Sequence, residues 1–170
     1  MSHKNAFIAE LQMEAASSRK ILERVPTEKN DWKPHDKSMK LGNLSTHVAE
    51  IPSWIAMTLT TNELDLAKMD YKPNIAGNTE ELIEKLNGNI NKAISALENS
   101  KEEDFEEIWT LRNGDHIIFA LPKKVVIRNV GFSHMIHHRA QLGVYLRLLD
   151  VLVPGVYGPS ADDMAAASAN

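Results

Sequence analysis

Two histidines, His134 and His138, stand four residues apart in a stretch that the sequence pattern predicts to be helical. Residues with this spacing lie on successive turns of an α-helix, only about 40° apart around its axis, so both imidazoles can point at one shared atom. Apolar residues such as Leu142 and Tyr145 fall on the same face, which predicts that the pair points into the interior. Buried imidazoles each need a partner for a ring nitrogen, and one shared cation supplies it for both.

A third histidine, His47, lies in another predicted helix, on an apolar face that also carries Leu44 and Trp54. Three inward imidazoles from two helices form a three-nitrogen site, so the sequence predicts a divalent metal ion bound by His47, His134 and His138. With seven histidines in 170 residues, a pair four residues apart also arises by chance among ordinary surface or core histidines. The inward position of His47 favours the metal. Imidazole ligands suit zinc, nickel, iron and copper alike.

Neighbouring polar residues are candidates for supporting roles. His137 lies about 100° from His138 on the helix projection, so we predict that it flanks the site without binding the metal. Gln141 lies nearly on the ligand face and could hold a ring N–H. Glu50, three residues after His47, could orient a ligand or act as a base, although a solvated helix carboxylate is the commoner case. The remaining histidines are predicted to be solvated: His3, His35 and His116.

Other catalytic motifs are missing from the sequence. Met135 follows His134 where a zincin helix has its catalytic Glu, and there is no phosphate-binding glycine loop and no nucleophile elbow. Three imidazoles leave coordination positions open to water or substrate, which is typical of catalytic metal sites. We therefore expect a metal-dependent enzyme that acts on a small molecule, with no catalytic residue assigned. The alternative is a non-catalytic bundle that binds a metal or a small molecule.

Composition narrows the function classes further. The chain has no cysteine, which excludes disulfides, thiolate ligands and cysteine nucleophiles. Its net charge is −4 and no basic run is present, so we expect no nucleic-acid partner. No apolar stretch approaches the roughly 20 residues that span a bilayer, and the first residues do not resemble a signal peptide. A cytoplasmic protein that does not interact with membranes is expected.

Apolar periodicity predicts an all-α fold, a four-helix bundle with helices over about 4–24, 42–62, 78–100 and 123–151. Pro52 lies inside the second pattern and predicts a kink or a split there. Asn78 followed by Glu81 predicts a capped start for the third helix. Residues 26–40 form a polar connection with Trp32 as a packing anchor, and residues 63–77 are predicted to be irregular.

Residues 108–121 break the helical pattern. Two apolar and β-branched runs flank Asn113-Gly114, which predicts a small β-hairpin inserted between the third and fourth helices. After the fourth helix, an extended segment marked by proline and glycine is expected. One domain over residues 1–163 is therefore predicted, followed by a frayed tail over residues 164–170.

Four segments together resemble one family. They are WKPHDKSMKLG (32–42), LGNLSTHVAEIPSW (41–54), GFSHMIHHRAQLGVYLRLLDV (131–151) and VPGVYGPSADD (153–163). These are similar to the DinB/YfiT-like family of metalloenzymes, which is distinct from the DNA polymerase that shares the name. The resemblance covers almost the whole chain in element order. One departure is Ala140, where many members have glycine; a small residue is retained.

The resemblance implies a four-helix bundle with long crossover connections, in up-down-down-up order. It also implies a divalent metal, commonly zinc or nickel, held by His47, His134 and His138, and a homodimer. Related proteins include S-transferases that use the low-molecular-weight thiol bacillithiol, and an isomerase that depends on mycothiol. Others are described as hydrolases. A metal-dependent thiol S-transferase is accordingly the expected function, with a metal-dependent hydrolase as the alternative.

Overall fold

The structure is a computed structural model that describes residues 2–70 and 72–169. The protein is mostly helical, with one small sheet. The helices are α1 (His3–Leu22), α2 (Leu41–Glu50), α3 (Ser53–Thr60), α4 (Thr79–Asn99), α5 (Lys123–Val126), α6 (His134–Leu148) and α7 (Ala161–Ser168). The strands are β1 (Glu63–Asp65), β2 (Ile108–Asn113) and β3 (His116–Pro122). Within the described residues, no helix is both long and apolar enough to cross a membrane.

A single apolar core joins the longer helices. α4 contacts α1, α2 and α3, and α6 contacts α1 and α2. The inward face of α4 carries apolar residues three or four positions apart, all buried: Leu82, Leu86, Ile90, Ala93 and Leu97. This spacing follows the helical period, so one stripe enters the core while the other faces of α4 remain polar. The predicted cap is confirmed, because Asn78 Oδ1 accepts a hydrogen bond from the Glu81 backbone N–H at 2.8 Å.

The predicted second helix is split at Pro52. α2 ends at Glu50 and α3 begins at Ser53, so the predicted interruption is observed. Proline has no N–H to donate, and its ring crowds the preceding turn. Both helices contact α4, and α2, which carries His47, also contacts α6.

The predicted fourth helix is helical throughout, from Lys123 to Leu148, but it is not α-helical throughout. A π-helical segment, Ile127–Ser133, joins α5 to α6. In a π-helix each N–H reaches the carbonyl five residues back, which widens the turn and redirects the side chains that follow. The helix ends at Leu148, three residues before the predicted end, and Asp150 then has a positive φ of 58°.

The sheet lies between α3 and α5 in contact with the ends of both. β2 and β3 pair antiparallel with Asn113 opposite His116, so the two turn residues are Gly114 and Asp115. Gly114 has a φ of 60°, which glycine adopts without steric cost. β1 pairs parallel with β2, within a region that was predicted to be irregular. That prediction was wrong because three residues are too few to show an alternating pattern. Asp65 Oδ1 accepts a hydrogen bond from the Gly114 N–H at 2.8 Å, which joins β1 to the turn.

The C-terminal residues also differ from the expectation of a frayed tail over 164–170. α7 covers residues 161–168, and its start is a capping box in which Ser160 and Asp163 satisfy each other's backbone N–H groups. The Asp162 carboxylate accepts hydrogen bonds from the Arg147 guanidinium and from the Val153 N–H. A capping box that also bonds back to α6 holds this segment in place.

A buried ion pair joins α6 to α1. Arg139 and Glu14 are 3% and 7% exposed, and Arg139 Nη1 lies 2.6 Å from Glu14 Oε2. The Tyr157 hydroxyl donates to the Glu14 carboxylate, and Arg139 donates to the Ser18 hydroxyl. Buried charges remain stable only when paired and hydrogen-bonded. This network fixes the part of α6 that follows His138.

Gly131, in the π-helical segment, allows α3 to approach the histidine-bearing helix closely. A Cβ at this position would lie 2.8 Å from Cγ1 of Ile55, a fully buried side chain. We expect Gly131→Ala to lower the free energy of unfolding by about 1–3 kcal/mol, because the core is already full there. Urea denaturation would measure it.

Gly143→Ala is the matched control for this prediction. Its added Cβ would meet Val153 at 4.0 Å, an ordinary contact. Replacing a helix-interior glycine by alanine should then stabilise the protein by up to about 1 kcal/mol. Equal changes in both variants would contradict the steric explanation.

Candidate metal centre

The three predicted histidines come from two packed helices. His47 is in the last turn of α2, His134 is the first residue of α6, and His138 follows one turn later. Buried neighbours set their direction: Val48 beside His47 and Met135 beside His134 are fully buried in the core. The histidines themselves are only partly buried, so their rings lie at the edge of the core.

The three imidazoles surround one point. Their candidate ligand nitrogens all lie within 4.8 Å of one another, and Nε2 of His47 is 3.2 Å from Nε2 of His134. The ring centroids are 4.7–5.0 Å apart, and each pair of rings meets edge-on. Metal–nitrogen distances are about 2.1 Å, so small side-chain rotations bring all three nitrogens to a common ion. The sequence prediction that these rings come together is confirmed.

Hydrogen bonds orient two of the rings. His134 Nδ1 lies 3.3 Å from the Val130 carbonyl oxygen, and His138 Nδ1 lies 2.7 Å from Gln141 Oε1. Because a carbonyl oxygen only accepts, each Nδ1–H donates and each Nε2 keeps its lone pair. Such contacts fix the tautomer of metal-binding histidines. The predicted supporting contact from Gln141 is observed.

The electrostatic environment keeps these rings neutral. Burial, followed by the neighbouring His134 and His138, lowers the pKa of His47 to about 4 against the opposing effect of Glu50. Burial is also the main cause of the lowered pKa values of His134 and His138. Neutral imidazoles have the free lone pairs that a cation requires. The donor set, the tautomers and the pKa values therefore all fit a divalent metal ion.

A cavity of about 590 Å³ opens beside His47. Trp54 and Met57 of α3 form part of its wall, and α4 supplies another part. The Trp54 ring also lies edge-on to the His134 ring, with centroids 6.4 Å apart. This volume is within the usual range for small-molecule sites, and the wall has both apolar and polar groups. The arrangement can hold a cation at one end and an organic molecule next to it.

The polar residues predicted around the metal centre differ in their exposure and contacts. His137 is exposed and its ring packs against His138, consistent with the predicted flanking position. Glu50 is not a solvated carboxylate, since it lines the cavity and forms an ion pair with Lys85 at 3.0 Å. His3 lies at the surface as predicted, with a side chain 41% exposed, and its ring bonds to the exposed Glu102 carboxylate.

Four cavity residues on α4 were missed by the sequence analysis. They occur at spacings of three, one and three: Lys85, Gly88, Asn89 and Lys92. Residues with this spacing lie on one face of α4, which differs from the apolar face that enters the core. The feature of the sequence that could have indicated this face is a glycine inside a helix with a lysine one turn away on each side. It is weak alone, because polar residues also form ordinary solvated faces.

Comparison with known proteins agrees with this geometry. The family model described as the DinB family matches residues 1–169. No curated protein matches the chain. A solved DinB-like protein from Bacillus cereus ATCC 10987 is 19% identical, with a TM-score of 0.69 over 90% of this chain and 97% of that one.

A second DinB-like structure, from Bacillus subtilis, is 15% identical, with the same TM-score of 0.69 over 89% of this chain and 97% of that one. Identities this low establish a shared fold and nothing about activity. The match to the family model covers nearly every residue, the two solved structures share the fold, and the three histidines predicted from the sequence meet at one point. The chain belongs to the DinB family.

Proposed function

We propose that this protein is a metal-dependent enzyme that holds one divalent cation, zinc or nickel, through His47, His134 and His138. The observation that supports it is the convergence of three neutral imidazoles, two with Nδ1 already engaged. Such a cation supplies Lewis acidity and lowers the pKa of a bound thiol or water. Iron and copper would also accept this ligand set.

The chain's own groups define what can happen around that centre. The Val130 carbonyl and Gln141 hold the rings of His134 and His138 in place. The indole of Trp54 limits water on the cavity side. The catalytic residue is not assigned by these contacts, although Glu50 is the carboxylate that lines the cavity among the described residues.

The reaction that we propose is the transfer of a low-molecular-weight thiol to an electrophilic substrate. In such a transfer the thiol gives its proton to solvent and the resulting thiolate uses a sulfur electron pair to form a bond to carbon. The leaving group departs from that carbon with the electron pair of the bond that breaks. The cavity beside His47 has room for a small electrophile. Hydrolysis is the alternative, favoured by the presence of Glu50, since a carboxylate near the centre can accept a proton from water.

The remaining structural expectations are proposals too. We propose a four-helix bundle in up-down-down-up order, in which α2 with α3 and α5 with α6 each count as one interrupted helix. The packing of α4 and α6 on α1 and α2 supports it. We also propose one domain over residues 1–163, and a cytoplasmic location.

Metal content is the first test of this function. Wild-type protein dialysed against zinc or nickel should retain about one ion per chain, measured by plasma mass spectrometry. His134→Ala should lose it, because two imidazoles bind far more weakly than three. His137→Ala is the matched control and should retain it, since that neighbouring ring is exposed. Metal-free wild type, or equal content in both variants, would contradict the proposal.

Thiol consumption separates the two reactions. With an electrophile such as an alkyl halide and a small thiol, the metal-loaded protein should accelerate thiol loss by at least about tenfold over the His134→Ala variant. The same pair should be compared on an activated ester. Acceleration with the ester alone would favour hydrolysis, and no acceleration in either assay would favour a non-catalytic binding protein.

A homodimer is the proposed assembly. Val144 and Leu148, one turn apart on α6, are 59% and 57% exposed, and exposed apolar pairs of this kind are typical of interfaces. Light scattering should give about twice the chain mass of 19.0 kDa. Replacing both residues by Glu should give a monomer, whereas Ile118→Glu, on the sheet, should not. A monomeric wild type would reject the assembly.

A further inference from the structure

One face of α4 is arranged for a ligand. Its four residues lie at positions i, i+3, i+4 and i+7 and all line the cavity beside His47: Lys85, Gly88, Asn89 and Lys92. The core-facing stripe of the same helix uses a different set of positions. The cavity face therefore has a composition that packing in the core does not require.

Gly88 creates space in this cavity. A Cβ built at this position meets no atom within 4 Å, and its φ is not positive. A glycine inside a helix costs about 1 kcal/mol relative to alanine. Neither the backbone conformation nor a close approach of another element requires glycine here. What the missing side chain does provide is room beside the two lysines.

The charges of this face are unequal. Lys85 pairs with Glu50 at 3.0 Å, and both side chains are only about one-fifth exposed. Lys92 forms no ion pair within the part of the chain that the structure describes, and the residues three and four positions from it on α4 are not acidic. Asp104 lies in the adjoining depression, but its Oδ2 accepts a hydrogen bond from the Lys101 N–H. Lys92, an exposed residue that lines both this depression and the cavity beside His47, therefore supplies a cation that has no ion-pair partner among the described residues.

Three of the cavity residues outside α4 have large apolar side chains: Trp54, Met57 and Met69. Aromatic and thioether side chains adapt well to the apolar part of a ligand. A molecule that fills the cavity would thus contact both apolar side chains and an ammonium group. The whole protein has a net charge of −4, so this local positive charge runs against the overall balance.

We propose that the substrate bound in this cavity is a small organic anion, with its apolar body against Trp54 and Met57, its carboxylate on Lys92, and the space left by Gly88 occupied. The proposal deepens the proposed function and rests on it, because the cavity adjoins His47. Lys85 is already neutralised by Glu50, so it positions that carboxylate and does not bind the anion.

Paired probes test the charge preference. 3-Phenylpropionate and its neutral analogue 3-phenylpropionamide would be titrated calorimetrically into metal-loaded wild type. The acid should bind about fivefold more tightly, the effect of one partly exposed ion pair. Lys92→Met should remove this preference and leave amide binding unchanged. Lys29→Met, which removes an exposed lysine outside the cavity, should keep the preference.

A Gly88→Leu variant tests whether the ligand occupies the space beside Gly88. A Cβ at this position meets no protein atom within 4 Å, so the variant should fold and retain its metal. It should weaken the binding of both probes by about tenfold or more, because their volume is then occupied. A thermal melt and a metal measurement on the same sample confirm that folding and the metal centre are intact.

The possible outcomes are distinct. Equal affinity for acid and amide, or a Lys92→Met variant that behaves like Lys29→Met, would overturn the proposal. An acid preference lost in His134→Ala but kept in Lys92→Met would mean that the carboxylate binds the cation, which also overturns it. A wild type that holds no metal yet prefers the acid through Lys92 would reject the proposed function alone.

Discussion

Burying imidazole rings where two helices meet is the constraint on which the other features of this protein depend. A partly buried ring must satisfy two nitrogens, and water is scarce at the edge of the core. Val130 and Gln141 satisfy Nδ1 of His134 and His138, which leaves the Nε2 atoms crowded around one point. Because the pKa of His47 is lowered, its ring stays neutral without a metal and does not repel its neighbours. A shared cation would satisfy these nitrogens together. The helix packing that brings the rings together would therefore also create the affinity for a metal.

Positioning of the rings depends on two irregular features. α2 ends three residues after His47, at the break before Pro52, and contacts both α6 and α4. The π-helical segment before His134 widens the turn that contains Val130, and Gly131 lets Ile55 pack close to it. π-Helical turns occur frequently at functional sites because they redirect side chains. The regular helices supply most of the core, and the irregular segments help to set the positions of the histidine side chains.

The sequence carried enough signal for the three histidines and for the longer helices. Spacing of four residues places His134 and His138 together in any helix, and Pro52 and Asn78 mark helix boundaries through local chemistry. β1 could not be predicted, because its pairing with β2 joins residues 47 positions apart along the chain, such as Glu63 and Thr110. The π-helical segment could not be predicted, because its amino-acid composition does not differ from that of an α-helix. The cavity could not be predicted either, because its side chains come from α2, α3 and α4, which only the fold brings together.

The proposed metal centre and the proposed substrate cavity use largely different elements. α2 and α6 hold the imidazoles, whereas α3 and α4 form most of the cavity, and His47 is the histidine of the three that lines it. Side chains on the cavity face of α4 can therefore change without moving the ligand nitrogens. Such a division would allow a metal centre of this kind to be combined with different cavity surfaces. Residues such as Gly88 and Lys92, more than the histidines, would then determine which molecule is bound.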